Sequence, residues 1–529
     1  MKSILKSLRA VFSKRKTVQG QQSPTIGQSE ISGDEQQQSI PLDRLSQAIS
    51  QPQHQPTPDE PAPVFSIPTP MAPSDARIIK QIEKTKRECI SFKRVYPPDH
   101  LLRTLTFQGS NPIAPENFEW PHYKQTTPNG QTQSTPMTFM AQVDCATLPP
   151  FQEHPLPKQG VLYFFVEWDH LNHNNNEPVV VYKTGNPKEW QTIEPPENIP
   201  ACFANQAADV FSWIGHTENA EQHFPSTFPK WAMETGIISS YSPDNPYDFN
   251  SNERQRYYEL LGKTQIQAMS EFHSPVLSKQ LKAPSTSAGT HLWKPFADFP
   301  HNWLAIEMFS GYLLNEIWDQ TQALKSQSQK PNYPFKEIRS ASEQQTLFNQ
   351  IAVECHGWIK KARHFGQWKT PDIQTQGEFW RWLEFHVGNK SLFDIIPSSG
   401  DKRPALIINS AMASAATHAS EASLTHSSSQ AALIPQDIIA TLKSRHRCVT
   451  NYKNNLHSQS RHHRMFGYPQ EIQSTSESYE EYISSHLMLM QLDWDPAIFW
   501  KFGDCGAFQY WITPQDLENH RFENAKVTF

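Results

Sequence analysis

The chain has 529 residues, 37% of them hydrophobic, with 43 Pro against 20 Gly. That is length for two or three domains, or for one large domain with insertions, and the composition leaves part of the chain outside any packed core. Fifteen Trp, 15 Tyr and 30 Phe exclude a wholly disordered protein, and a net charge of −6 argues against a general nucleic-acid binder.

The charge is uneven. Residues 1–16, "MKSILKSLRAVFSKRK", hold six Lys/Arg and no acid, so the remainder stands near −12. On a helical wheel Ile4, Leu5, Leu8, Val11 and Phe12 share one face, and Lys2, Lys6 and Arg9 lie opposite. Such a basic amphipathic arm suits reversible, peripheral contact with an anionic membrane, at the inner membrane surface for a cytoplasmic protein. A soluble basic terminus and an organellar targeting peptide are the other readings. No signal-peptide cleavage pattern follows it. Residues 17–75 are rich in Gln, Pro and Ser, with Phe65 their only aromatic, and are expected to form a disordered linker.

Ordered structure is expected from about Ser74, where "SDARIIKQIEKTKREC" has capping residues and helical spacing. Strands follow. "PMTFMAQVD" sets Met137, Phe139, Ala141 and Val143 on one face and Thr138, Met140, Gln142 and Asp144 on the other, and "GVLYFFVEW" is apolar throughout. "APSTSAGT" (283–290) reads as a surface loop. Helical spacing then dominates from about 300 to 456, in "NWLAIEMFSGYLLNEIWDQTQALK", "SEQQTLFNQIAVECHGWIKKARHF", "GEFWRWLEFHV" and "PQDIIATLKSRHRCVTNY". Within this helical insertion, the Ala/Ser-rich stretch at about 409–432 is expected to be a flexible loop. Strand patterns return in "HLMLMQLDWD" and "GAFQYWIT".

The return is specific. Ala141-Gln142-Val143-Asp144 precedes "GVLYFFV", and Met490-Gln491-Leu492-Asp493 precedes "GAFQYWI". Each unit is an apolar strand, Gln, an aliphatic residue, Asp, a Pro-containing gap, then Gly and an aromatic strand. Two β units related by an internal repeat are expected.

"GSNPIAPENFEWP" (109–121), "PMTFMAQVDCATLPP" (136–150), "LPKQGVLYFFV" (156–166), "HRMFGYPQEIQ" (463–473) and "LMLMQLDWD…KFGDCGAFQYWITPQDLENHRF" (487–522) resemble successive blocks of the YwqG-like family, a bacterial domain of unknown function. The resemblance spans about 76–529. It implies an α+β fold with antiparallel sheets and no established activity. The chain departs from the family in its N-terminal arm and linker, in longer segments between about 170 and 456, and in Gln108-Gly109 where a Gly-Gly pair is expected. Members are often encoded near polymorphic toxin systems, which implies an immunity-like, partner-binding role.

No nucleotide-binding glycine loop, nucleophile elbow, zincin motif or EF-hand loop occurs, and no cofactor is expected. "GKT" (262–264) has Tyr257 where a phosphate loop needs its first glycine. "HSQSRHHR" (457–464) is rich in His, but His462 and His463 are adjacent and would face opposite ways on a strand, so no metal site is expected. The six cysteines are scattered, with no C-x-x-C pair, and read as reduced thiols in a cytoplasmic protein.

Asp493-x-Asp495 could mark an acidic cleft where the two units meet, but Asp144 and Asp493, at matching positions, also suit turn-capping. The candidate binding residues are Asp144, Gln142, Asp493, Gln491, Asp495, His463 and Arg464. Trp120, Pro121, Gly160, Gly467, Tyr468, Pro469, Asp504 and Gly506 read as structural turns, and Cys505 belongs to the same "GDCG" turn. Asp495, which has no counterpart in the first unit, is the carboxylate with most freedom to serve a function. The expected protein is a non-enzymatic, toxin-immunity-like binder of a partner protein, with an acidic domain surface suited to a basic partner. The alternative is a hydrolase or transferase using Asp144, Asp493, Asp495 and His463 in a cleft between the units.

Overall fold

A computed structural model describes residues 73–100, 102–126, 130–151, 156–167, 179–200, 227–243, 249–270, 272–273, 281, 293–327, 341–385, 404–446, 463–469, 482–493, 495, 498, 500 and 506–528. The chain divides into two units after Pro73. The arm and linker fall outside the described residues, as do the 283–290 segment, the histidines before His463, and Asp504 with Cys505.

Helix α1 (Pro73–Lys84) stops short of its expected end, and strand β1 (Arg87–Arg94) begins within the segment read as helical. Then come β2 (Phe107–Gln108), β3 (Ile113–Ala114), β4 (His122–Thr126), β5 (Thr132–Pro136), β6 (Thr138–Asp144), β7 (Val161–Val166), β8 (Val180–Lys183), β9 (Gln191–Thr192) and β10 (Trp231–Ser240). The helices are α2 (Ser251–Ser270), α3 (Trp303–Gln327), α4 (Ala341–Phe365), α5 (Ile373–Leu383), α6 (Pro404–His426), α7 (Ser428–Ala431) and α8 (Gln436–His446). β11 (Arg464–Met465), β12 (Leu487–Asp493), β13 (Ala507–Ile512), α9 (Pro514–Glu518) and β14 (Lys526–Thr528) complete an α+β fold.

A ten-stranded antiparallel sheet organises it, in the order β14-β13-β12-β11-β1-β10-β2-β6-β7-β8. The order has the same pattern from either end, and the registers agree. Asp144 faces Val161 and Gln142 faces Tyr163. Asp493 faces Ala507 and Gln491 faces Gln509. Each hairpin carries its irregularity at the same place, between Phe139 and Ala141 and between Met488 and Met490. Gly109 and Ser110 after β2 have φ of 70° and 63°, and Phe466 and Gly467 after β11 have 60° and 72°. Phe164 and Tyr510, at matching positions, meet edge to face with centroids 5.1 Å apart, and Tyr510 donates to the Phe165 carbonyl at 3.1 Å. The sheet therefore curls until its two outer hairpins touch. Tyr182 of β8 packs on Phe522, 5.1 Å away, in the turn that leads into β14.

β6, β7, β12 and β13 are buried along nearly their whole length, as central strands covered on both faces should be. The exposed polar face that alternation suggests for β6 is absent, because Gln142 is bonded under the covering loop. Its Oε1 accepts from the Ile113 N–H at 2.8 Å and its Nε2 donates to the Leu105 carbonyl at 3.1 Å.

The expected loop at 409–432 is wrong. Pro404–His426 is a helix, and the short helix α7 follows it. Alanine is the best helix former, and its small side chain lets α6 lie close to α3. Ala415, Ala416 and Ala419 are fully buried. Two of its buried hydroxyls are satisfied inside the helix: Thr417 donates to the Ala413 carbonyl at 2.7 Å and Ser423 to Ala419 at 2.8 Å. A composition read as solvated is a packed surface of small side chains.

The turn residues have definite work. Trp120 Nε1 donates to the Met137 carbonyl at 2.8 Å, and Pro121 accepts from the Met137 N–H at 2.9 Å. Gly160 (φ 88°) and Gly467 (φ 72°) have no room for a Cβ, which would stand 2.8 Å from the Lys183 oxygen and 2.8 Å from the Cys89 Cβ respectively. Tyr468 donates its N–H to Ser240 Oγ at 3.0 Å and lies under Arg87. Pro469 follows it half-buried, and Gly506 is buried at the entry to β13.

Candidate functional site

The seven candidate residues do not form one cleft. Asp144 and Gln142 keep their side-chain bonds within the first half of the sheet. Asp144 Oδ1 caps the short 3-10 turn after β6 by accepting the Ala146 N–H at 3.0 Å. The other five gather in the second half, on two faces. His463 and Arg464 are neighbours along an extended segment, so their side chains leave on opposite sides.

On the first side stands Asp495, 2% exposed. A tight bridge fixes its backbone: its N–H donates to the Trp500 carbonyl at 3.0 Å, and the Trp500 N–H returns to its own at 2.9 Å. Oδ2 receives an ion pair from Arg94 of β1 and a 2.7 Å hydrogen bond from Gln108 Nε2 of β2. His463 Nε2 lies 3.4 Å away. Nδ1 of the same imidazole accepts the Asp493 N–H at 3.0 Å, so its proton sits on Nε2, toward Asp495. Burial would raise the Asp495 carboxyl, but the Arg94 charge, with hydrogen bonds from His463 and Gln108, more than offsets it and holds the group well below the usual carboxylate range. The floor is aromatic. Trp500 packs against His463 at 5.5 Å and Phe228 at 5.9 Å, and Arg94 lies 5.5 Å over Trp231.

On the other side, Arg464 Nη2 approaches Gln491 Oε1 at 3.5 Å, which also accepts from Gln509 Nε2 at 3.2 Å. Gln491 Nε2 donates to Asp493 Oδ2 at 3.1 Å. Asp493 is therefore tied to its own strand, not to Asp144.

Two residues central to the site, Arg94 and Gln108, escape sequence reading. Gln108 stands in the block where a second glycine was expected, and that departure is the only signal for it. Arg94 sits among the charges at the end of β1, a strand without a clear pattern. Among the described residues no group of His, Cys, Asp and Glu could hold a metal ion. Cys89, Cys145 and Cys355 are buried and in no disulfide, and burial pushes Cys145 up to about 12, away from nucleophilic use.

The model of a family described as a domain of unknown function (DUF1963) matches residues 107–290 and 381–529, more than half of the chain. The chain belongs to this family. As a DUF1963 protein it carries the family's match over both outer hairpins, β11, and the Asp495 and Arg464 sites, while residues 291–380, with α3, α4 and most of α5, lie between the matched segments. No curated protein matches it. Among the described residues no helix is long and apolar enough to cross a membrane.

Proposed function

We propose that this DUF1963 protein binds a partner protein and does not turn over a substrate. One observation carries the reading: the side chains that catalysis would use are buried and engaged with one another. Asp495 spends its charge on Arg94, Gln108 and His463, all internal, and a general acid or base must reach a substrate proton. The cluster fastens residues from both halves of the sheet, which we read as two copies of one repeated unit in a YwqG-like domain with a helical insertion.

The chain beyond its first sixteen residues is acidic, which suits a basic partner by charge complementarity, in an immunity-like role of occlusion or scaffolding. The exposed apolar side chains of Ile373 (86%) and Phe385 (69%) offer a partner hydrophobic anchors. The basic arm supports peripheral membrane contact from the cytoplasm.

The test is co-purification of the full-length chain from its own cells, then reconstitution with the purified candidate. Binding should weaken as salt rises. The competing reading, a hydrolase or transferase, draws on the nearness of Asp495 and His463. It wins if wild-type protein shows such an activity and a folded Asp495→Asn variant loses it.

A further inference from the structure

One line of side chains crosses the second half of the sheet on the face opposite Asp495. In register it reads Ser91, Arg464, Gln491, Gln509, Thr528. All but the last are buried. The matching line in the first half reads Ala232, Phe107, Gln142, Tyr163, Val181. The same positions of the same sheet are thus filled with mostly apolar side chains in one half and polar ones in the other. The fold itself does not demand the polar version.

Arg464 is the anomaly in that line. It is 7% exposed, and Nε has no hydrogen-bond partner among the described residues. Its only side-chain hydrogen bond among them is the long 3.5 Å approach to Gln491 Oε1, and no carboxylate of a described residue lies within ion-pair distance. A buried guanidinium without counter-charge is strongly disfavoured, and arginine cannot escape by shedding its proton as lysine or histidine can. Ser91 does not answer it, because its Oγ is bonded to His273 Nε2 at 2.6 Å. Gln491 offers Arg464 its oxygen and turns its Nε2 to Asp493. What is missing beside Gln491 and Gln509 is an acceptor with negative charge.

We propose that Arg464 is the centre of a binding site for a small oxyanion, a single phosphate or carboxylate group. This goes beyond the partner-binding reading, which concerns the outer surface, and either can fail alone. The planar fork of arginine matches two oxygens of such a group.

The experiment uses full-length protein and two substitutions. Arg464→Phe installs the residue found at the matching position, Phe107, and Arg464→Met keeps the length of the side chain without its charge. Sodium phosphate and sodium acetate are titrated separately, against sodium chloride at equal ionic strength, with Tm and calorimetric binding as readouts. Wild type should give a saturable rise in Tm with one of the two salts beyond chloride, and that salt identifies the group. Both variants should bind at least tenfold more weakly and lose the rise. Equal responses in wild type and variants would overturn the site. So would a wild type that responds to neither salt beyond chloride, a result that decides the matter even if both variants fail to fold.

Discussion

Asp493 gives its backbone N–H to Nδ1 of His463 at 3.0 Å, and Asp144, at the matching place, gives its own to Thr106 Oγ1 at 3.1 Å. The same backbone bond is made by a hydroxyl in one half and an imidazole in the other. The imidazole has a second nitrogen, and with it the second half gains a link to Asp495 that threonine cannot make. Ala146 stands where Asp495 would have its counterpart, and it is exposed. His463→Thr should therefore keep the acceptor for Asp493 and lose the Asp495 contact, destabilising by about 1 kcal/mol, while His463→Ala loses both and costs about 1–3 kcal/mol. Urea unfolding of the two variants checks the order; an equal effect would show that the backbone bond contributes nothing.

The Arg94–Asp495 pair makes a sharper case. Asp495→Ala leaves Arg94 and Gln108 facing an empty buried position and should cost about 3–5 kcal/mol. Arg94→Met should cost a similar amount. Combining Arg94→Met with Asp495→Leu should restore much of the loss, since no buried charge is then stranded. The double-mutant cycle reads the coupling directly, and additive losses would sink this account of the pair.

Stability should fall in mild acid for a reason separate from carboxylates. Burial holds the His273 and His301 imidazoles down at about 3, against about 6.5 in an unfolded chain. Both are neutral when folded, so the unfolded chain takes up protons first as pH drops. Their contribution is complete above pH 6.5 and declines toward pH 3, at up to about 1.4 kcal/mol per pH unit for each. His301→Gln should flatten that slope between pH 6 and 4 in equilibrium unfolding, because Gln can still approach the Ser423 hydroxyl that His301 contacts at 2.8 Å. An unchanged slope would rule out the assignment.

Helix α6 tolerates little growth. Ala419 is fully buried on the stretch that meets α3, so Ala419→Leu should cost about 1–3 kcal/mol through overpacking, whereas the same change at a solvated loop position would be neutral. A Tm within 1 °C of wild type would return this segment to the loop that its composition suggests.

How much of this was legible in the sequence depended on locality. The two outer hairpins could be read because each holds Gln, an aliphatic residue and Asp within four positions, and that short pattern fixes both register and turn. The long helices showed their spacing in the same local way. The central strands β1 and β10 did not, because β1 mixes Arg87, Glu88, Lys93 and Arg94 with its apolar residues and β10 contains Glu234 and Gly236. Their identity comes from each other, through pairs such as Ile90 with Ile237 that no local window contains. Asp495 stood out as a carboxylate without a counterpart, yet its partners are distant in sequence: Arg94 gave no signal, and Gln108 showed only as a departure from an expected glycine. Helix α6 misled because Ala and Ser are common both in loops and in close helix packing, and only the neighbouring helix decides between them.

The strand order also governs how the chain can be made. β1 sits beside β11, pairing Ile90 with Met465, although it leaves the ribosome about 375 residues earlier. At roughly 5–20 residues per second, β1 waits on the order of tens of seconds for that neighbour. β10 arrives much sooner and can cover one edge of β1, so the nascent chain passes through a stage in which half of the sheet is built and the other edge of β1 lies open. A chain that lacks the residues before Val95 would leave β11, and through it the C-terminal hairpin, without the strand that joins them to the rest of the sheet.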